Sequence, residues 1–567
     1  MSFFNNLFRK KNIPDAIAAA QNEDIHGGGL QKNLRFWDLT ALGIAAIIGA
    51  GIFSTIGSAS YNGGPGVVFL FMFTALACGF AAFAYAEFAS LLPVSGSAYT
   101  YSYVAFGELI AWIIGWALIM EYAVGNITVA VSWSGYFTGL MQSLGWEIPA
   151  WAHIDYVSAQ KGFEEASSLL SNGSTLEMLT QAQKEAYLAW SQAPLLGSLP
   201  VILDIPAIIM SILISILVYV GIKESKTASN IMVILKIAVV IMVIVVGSFY
   251  VDVNNWHPFI PNGFGGVMAG VSSVFFAYIG FDALSTTAEE CKDPQRDLPR
   301  AMVYSIVICT VLYIIIALVL TGMVSYKELD VTDPLAFVFS KLHLDWLSGV
   351  IAVSAVVAMA GVFLVFQLGQ PRIWMTMSRD GLLPPQFAKI HPKYKTPAFS
   401  TVVTAFFVIV PMLFIPSDTV LDLCSMGTLF AFVLVSGGVL KMQVTPNAPR
   451  GKFRTPYLNG KWTFPIFLSA AVLLIQKYSP ETIQLWLGKD GNVLDQAPIL
   501  LFWITSLVLA VLAFKHNLSL IPLLGLVFCL YMMAQIPVSS WFWFLIWLLA
   551  GLVIYFGYSY RHSKLSS

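Results

Sequence analysis

Apolar runs as long as a bilayer is thick recur along this chain, and they constrain its fold more than any other feature. A hydrocarbon core of ~30 Å is crossed by about 20 residues of α-helix. Runs that meet this length, or approach it, fall at 38–61, 65–92, 108–142, 203–222, 227–251, 264–289, 300–325, 347–378, 398–415, 418–442, 463–476, 498–514, 518–536 and 539–558. The run at 463–476 is the weakest because it is short, and 108–142 is long enough to tilt or protrude. The expected fold is therefore an all-α polytopic membrane protein of about 14 transmembrane helices. Composition agrees, since 11% of the 567 residues are charged, against about a quarter in soluble domains.

Charge placement orients the spans. With both termini cytosolic, the inward segments carry 22 of the 30 basic residues and the outward segments six, with Lys236 and Arg372 inside spans. That asymmetry follows the positive-inside rule, and losing one span would invert everything downstream. The reading places the chain in a cell membrane, plasma or inner. The first 35 residues are polar and hold no apolar core of a signal peptide, so the first span is expected to direct targeting. No basic cluster is dense enough for nucleic acid. Cys78, Cys291, Cys309, Cys424 and Cys529 lie in apolar runs or an inner flank, which suits neither a disulfide framework nor a zinc site. The outward stretch 143–202 is expected to form a cap of one or two short amphipathic helices, broken at Asn172-Gly173-Ser174.

Two spans are interrupted by glycine. The first reads DLTALGIAAIIGAGIFSTIGSA, with Gly49-Ala50-Gly51 at its middle, and the sixth reads VSSVFFAYIGFDALSTTAEE, with Gly280 central and Asp282 just beyond. Five spans separate them, an odd number, so they run in opposite directions, as in transporters built from inverted repeats. Unwinding a helix frees backbone groups that lipid cannot satisfy, so a break is tolerated only against a polar cavity or ligand. A half-helix N-terminus then offers N–H donors and positive potential to an anion. The opposing C-terminus offers carbonyls to a cation, so a zwitterion fits both ends. The plainer reading of Gly49-Ala50-Gly51 is a small-residue packing face. On this division the chain has a tail at 1–35, a first repeat at 36–251, a second at 252–442 and further helices at 443–567.

Charges inside the spans are the next candidates. Lys236 stands some ten residues into the fifth span, or ~14 Å at 1.5 Å per residue. Burial of its ammonium is costly, and proton coupling is the functional reading, with a snorkelled or paired lysine the alternative. Glu121, with Asn126 little more than a turn on, could contact substrate, line a cavity or serve structure. Asp282 could hold the unwound segment or line the pathway. Glu87 and Arg372, nearer the inner ends, suit gate or scaffold roles, and Glu289 and Glu290 with Arg296 and Arg300 read as helix-end pairing. Phe276 and Phe281 flank the second break, and Phe281 is the gate candidate.

The stretches GIAAIIGAGIF, FFAYIGFDALSTTAEECKDPQRDLPRAM, GQPRIWMTMSRDGLLP and LCSMGTLFAFVLVSGGVL resemble signatures of the amino acid–polyamine–organocation superfamily, and its cationic amino acid transporter branch in particular. The resemblance runs over about 30–442 and resumes at 518–564. It implies a LeuT-type bundle of two inverted five-helix repeats, and proton-driven uptake or exchange of amino acids. By position it implies backbone amides at Gly49, Ala50 and Gly51 for the substrate carboxylate, and carbonyls at Ile47, Phe276, Ala277 and Ile279 for the amino group. It also sets Lys236 where sodium-coupled relatives hold a cation between the first and eighth spans. Ala50 departs from relatives with a hydroxyl there, and 443–517 departs from a twelve-span pattern.

The leading function is amino acid transport by alternating access, with H⁺ as the expected coupling ion, no cofactor, and the lipid bilayer as the only other partner read. Exchange without net proton movement, and a transporter-like sensor, are the alternatives. An enzyme would need a convergent catalytic cluster, and the seven histidines all fall in loops or at span ends. Neither the substrate's side chain nor the oligomeric state is legible.

Overall fold

The computed structural model describes residues 7–11, 34–92, 97–172, 174–221, 226–282, 284–285, 291–446, 448–478 and 493–566. The chain enters the bundle as α1 (Phe36–Ile47), which stops short of a full span. A π-turn at Gly51–Thr55 leads into α2 (Ile56–Gly63), and a Gly64-Pro65-Gly66 turn leads into α3 (Val67–Leu91). Then come α4 (Ser97–Ala105), the 36-residue α5 (Glu108–Ser143), α6 (Tyr156–Ser171), α7 (Gln181–Gln192), α8 (Ile205–Val220) and α9 (Lys226–Ser248). Two short pieces, α10 (Gly263–Ala269) and α11 (Val271–Phe276), occupy the sixth apolar run. The rest of the bundle is α12 (Pro294–Met323), α13 (Pro334–Lys341), α14 (Asp345–Arg379), α15 (Ala398–Met412), α16 (Ser417–Val444), α17 (Gly460–Tyr478), α18 (Ala497–His516), α19 (Leu520–Gln535) and α20 (Val538–Ile554).

Among the described residues, seven helices are long and apolar enough to cross a membrane, and five apolar helices of 10–17 residues accompany them. The protein is thus a helical polytopic membrane protein, as the apolar runs require. The weak run at 463–476 forms the 19-residue α17, packed on α18 and α19. The sixth run, 264–289, is interrupted as expected, but its helical part is already split at Gly270 into α10 and α11; residues 283 and 286–289 of the run, with Glu290, lie outside the described set.

Packing follows from residue size. In α3, Ala77, Ala81, Ala82, Ala84 and Ala86 are buried, so α12 and α19 approach it closely without a hydrophobic driving force in lipid. α5 is largely buried from Glu108 to Tyr136, between α14 and α16. Two tryptophans fix α20 to it: Trp112 Nε1 donates to Gly551 O at 2.9 Å, and Trp116 Nε1 donates to Trp547 O at 2.7 Å.

The two termini meet at one face. Fully buried Glu108 accepts from Arg9 Nε at 2.8 Å and Arg9 Nη2 at 2.9 Å, and from the hydroxyls of Tyr103, Tyr555 and Ser563. Lys11 adds an ion pair with Asp380 at 2.8 Å. The expected cap is also present. α6 is N-capped by Asp155 and ends at Ser171 with Asn172 as its C-cap, at the expected break, and α7 carries a capping box from Thr180. A two-strand hairpin, Leu195–Leu196 with Leu199–Pro200, follows.

Candidate functional site

α1 ends inside the bundle, which leaves its last carbonyls to find partners other than the next helical turn. The last regular helical bond is Ile48 N to Ile44 O at 2.8 Å; beyond it Ala45 O accepts from Lys236 Nζ at 3.2 Å, and Ile47 O accepts from Tyr313 OH at 3.0 Å. A cation at a helix C-terminus is favoured by the helix dipole. Lys236 is 5% exposed, and its helix α9 packs on both α1 and α14. Two of the residues singled out by sequence, Lys236 and Ile47, therefore converge on the same helix end. Ile47 O carries one hydrogen bond, so one of its lone pairs is left over.

The second break lies against the first. α11 ends at Phe276, where the chain tightens into turns: Tyr278 N donates to Phe275 O at 2.8 Å and Ile279 N to Phe276 O at 3.2 Å. Gly280 takes φ +120°, which L side chains rarely adopt, and a Cβ there would stand 2.7 Å from Ala46 O. A Cβ on Gly51 would stand 2.3 Å from Ala277 Cα. The two interrupted segments thus touch backbone to backbone at two points. Gly49 is likewise closed in, by Val362 of α14. Neither contact tolerates a side chain, which explains the glycines without appeal to flexibility.

Hydroxyls continue this seam past the breaks. Thr55 Oγ1 donates to Ser273 O at 2.8 Å, and Ser58 Oγ shares a 2.9 Å hydrogen bond with Ser273 Oγ. Tyr136 OH donates to Phe53 O. α13 lies over the π-turn and α2. None of these hydroxyls was singled out by sequence reasoning, since a lone Ser or Thr in an apolar run carries no signal of which carbonyl it will meet.

The remaining candidates separate by role. Asp282 is buried, and its Oδ1 accepts from Gly280 N at 3.3 Å while Ser285 Oγ donates to Asp282 O at 2.6 Å. It braces the unwound segment. Glu121 is 2% exposed, and its Oε2 has no hydrogen-bond partner among the described residues. It faces α16, where its Cβ lies against Gly427. Asn126 Nδ2 donates to Gln367 Oε1 at 2.9 Å, and Gln367 Nε2 donates to Ser215 Oγ at 2.9 Å, a chain that links α5, α14 and α8, while Asn126 Oδ1 has no hydrogen-bond partner among the described residues. Phe281 is fully buried, with its ring 5.1 Å from Phe432 and 6.2 Å from Tyr85. Phe276 and Ala277 are buried at the seam, with Ala50 and Ile279. Glu87 accepts from Thr455 N at 3.0 Å, a scaffold contact, whereas Arg372 is exposed. Among the described residues, no group of three or more His, Cys, Asp or Glu side chains is placed to hold a metal.

Comparison with known proteins bears on the same region. A family model described as amino acid permease matches residues 34–511, and one described as the C-terminus of that permease matches 518–563. The chain is similar to a branched-chain amino acid permease of Bacillus subtilis, 38% identical over 566 residues that cover 99% of both proteins. It is also similar to a methylthioribose transporter of the same organism, 34% identical over 99% of this chain and 100% of that one. A vacuolar cationic amino acid transporter of Arabidopsis thaliana is 33% identical over 78% of this chain and 64% of its own length.

Proposed function

This chain belongs to the amino acid permease family, and we propose that it carries amino acids across the membrane by proton-coupled alternating access, binding them at the two interrupted helices. Membership in a family of transporters sets the enzymatic reading aside. The observation that carries the site is the double contact of the breaks, at Gly51 with Ala277 and at Gly280 with Ala46. It supports a site where the start of the Gly51–Gly63 helical stretch supplies amides to a carboxylate. The carbonyls around Ile47, Phe276, Ala277 and Ile279 then face the ammonium. Two inverted five-helix repeats, with helices 443–567 added and the termini cytosolic, are the architecture that this pairing implies.

Full-length similarity to a permease named for branched-chain amino acids supports an aliphatic substrate side chain, with Val362 beside Gly49 as apolar lining. The equally long match to a methylthioribose transporter favours a second reading, in which the same breaks hold a neutral thiosugar.

Lys236 is the proposed coupling group. Its ammonium bonds the end of α1, so loss of its proton weakens the hold on α1 and links proton movement to the break. Exchange without net proton movement is the competing mode. Uptake of labelled leucine into proteoliposomes under an imposed pH gradient separates them. Lys236→Met is expected to abolish gradient-driven accumulation while leucine–leucine exchange survives. Accumulation that persists in Lys236→Met refutes the coupling role, and uptake of methylthioribose in place of leucine selects the second reading.

A further inference from the structure

The entry to α1 and the entry to α12 are joined into one cationic corner. Lys292 N donates to Leu34 O at 3.0 Å, and Leu34 pairs with Cys291 in an isolated parallel bridge. That backbone link sets Arg35 and Lys292 side by side. Arg296 and Arg300 follow one helical turn apart on α12, and Tyr304 follows one turn further. Arg35, Lys292, Arg296 and Arg300, with Phe36, Trp37, Asp297 and Tyr304, line an open cavity of about 760 Å³. Among the described residues none of the four cations has an ion-pair partner, and Asp297 is the only acid in the lining.

The surroundings of this corner are graded. Trp37 is 70% exposed and Tyr304 51% exposed, an arrangement typical of aromatic side chains at headgroup depth. Phe36 holds the two together, packed edge-on to Trp37 at 4.9 Å and to Tyr304 at 5.4 Å. Beyond Tyr304 the exposed residues of α12 turn aliphatic, with Val307, Val311 and Ile315. Cations, then aromatic rings, then aliphatic side chains reproduce the order of headgroup, interface and acyl chain.

We infer that this cavity is a binding site for the phosphate headgroup of an anionic phospholipid, whose acyl chain lies along Val307, Val311 and Ile315. A free phosphate would use the same guanidinium groups, but it has no use for the exposed rings and the aliphatic stripe. The occupied site ties α1 to α12 at the end opposite the break.

The test uses the full chain purified in detergent, titrated separately with phosphatidylglycerol, phosphatidylcholine and inorganic phosphate. Native mass spectrometry counts the bound lipid, and thermal unfolding checks the fold of each variant. Phosphatidylglycerol is expected to bind saturably and phosphatidylcholine to bind much more weakly. Arg296→Gln/Arg300→Gln is expected to bind phosphatidylglycerol about thirtyfold more weakly with an unchanged melting midpoint in lipid-free detergent. Arg450→Gln/Arg454→Gln, at a separate basic cavity, is expected to retain binding. Equal binding of both lipids overturns the proposal, as does an equal loss in the two double variants. Inorganic phosphate that displaces the lipid at millimolar concentration and binds without it also overturns the lipid assignment.

Discussion

The two interrupted helices do the same thing by different means. The first break is brief: α1 ends at Ile47, and the chain is helical again from Gly51, at first as a π-turn. The second stays open, because after Phe276 the backbone runs through turns held by Asp282 and by Gly280 at positive φ. The first is rich in glycine and needs no acidic brace. The second has one essential glycine and depends on a carboxylate. An interrupted helix can therefore be stabilised either by resuming at once, which shares its orphan groups with side chains such as Tyr313 and Lys236, or by folding back on its own side chain.

Substitution at the glycines should break this comparison most severely. Gly280→Val meets both an unfavourable φ and the Ala46 carbonyl, whereas Gly51→Val meets Ala277, backbone and Cβ, without a strained φ. Overpacking costs about 1–3 kcal/mol, and the strained φ adds about 1–3 kcal/mol. Both variants should lose transport, and Gly280→Val should also show the lower melting midpoint in detergent. An unchanged midpoint in Gly280→Val would show that the second break relaxes freely. Asp282→Ala comes next: loss of the acceptor for Gly280 N should cost about 1–2 kcal/mol, with Asp282→Asn closer to the parent. The readout is again the melting midpoint, and equal values for the two variants would remove the bracing role.

The smallest effect concerns only the first break, through its cover α13. Asp333, at the start of α13, keeps part of its surface exposed, yet burial of its carboxylate pushes it up to about 7 from an ordinary 3.8, with Glu185 adding to the rise. Its folded-state value is raised, so its contribution is full below about 4 and is lost as pH climbs through about 7. Stability should therefore fall over that window, and Asp333→Asn should flatten the slope. An unaltered slope in Asp333→Asn would assign the pH dependence to other groups.

Much of this was legible in sequence for physical reasons. Length and hydropathy reported the spans, and Gly49-Ala50-Gly51 could be told from a small-residue packing face only because the sixth span carries a matching glycine break with Asp282 beside it. The exact edge of the second break was not legible. The sequence drew attention to Gly280, but the helix already ends at Phe276, where Ala277 must meet Gly51, and no local residue announces that meeting. α4, between the apolar runs 65–92 and 108–142, goes unmarked because nine residues rich in Ser and Tyr do not register as a span, although Tyr99, Tyr101 and Tyr103 are buried. The first 35 residues read only as a polar tail, and nothing in them signals that Arg9 will pair with Glu108, 99 residues away. Asn126 was singled out by its depth beside Glu121, and the fold adds what the sequence did not show, that its Nδ2 is taken up by Gln367.

The central claim is that the two breaks hold the two ends of one zwitterion. Competition against labelled leucine uptake in proteoliposomes tests it directly, with 3-methylbutylamine and 4-methylpentanoate as analogues that each lack one end. The account predicts that leucine competes and that each analogue competes at least about tenfold more weakly, since each forfeits charge-assisted hydrogen bonds worth about 1.5–3 kcal/mol. Competition by either analogue as strong as that of leucine would contradict it.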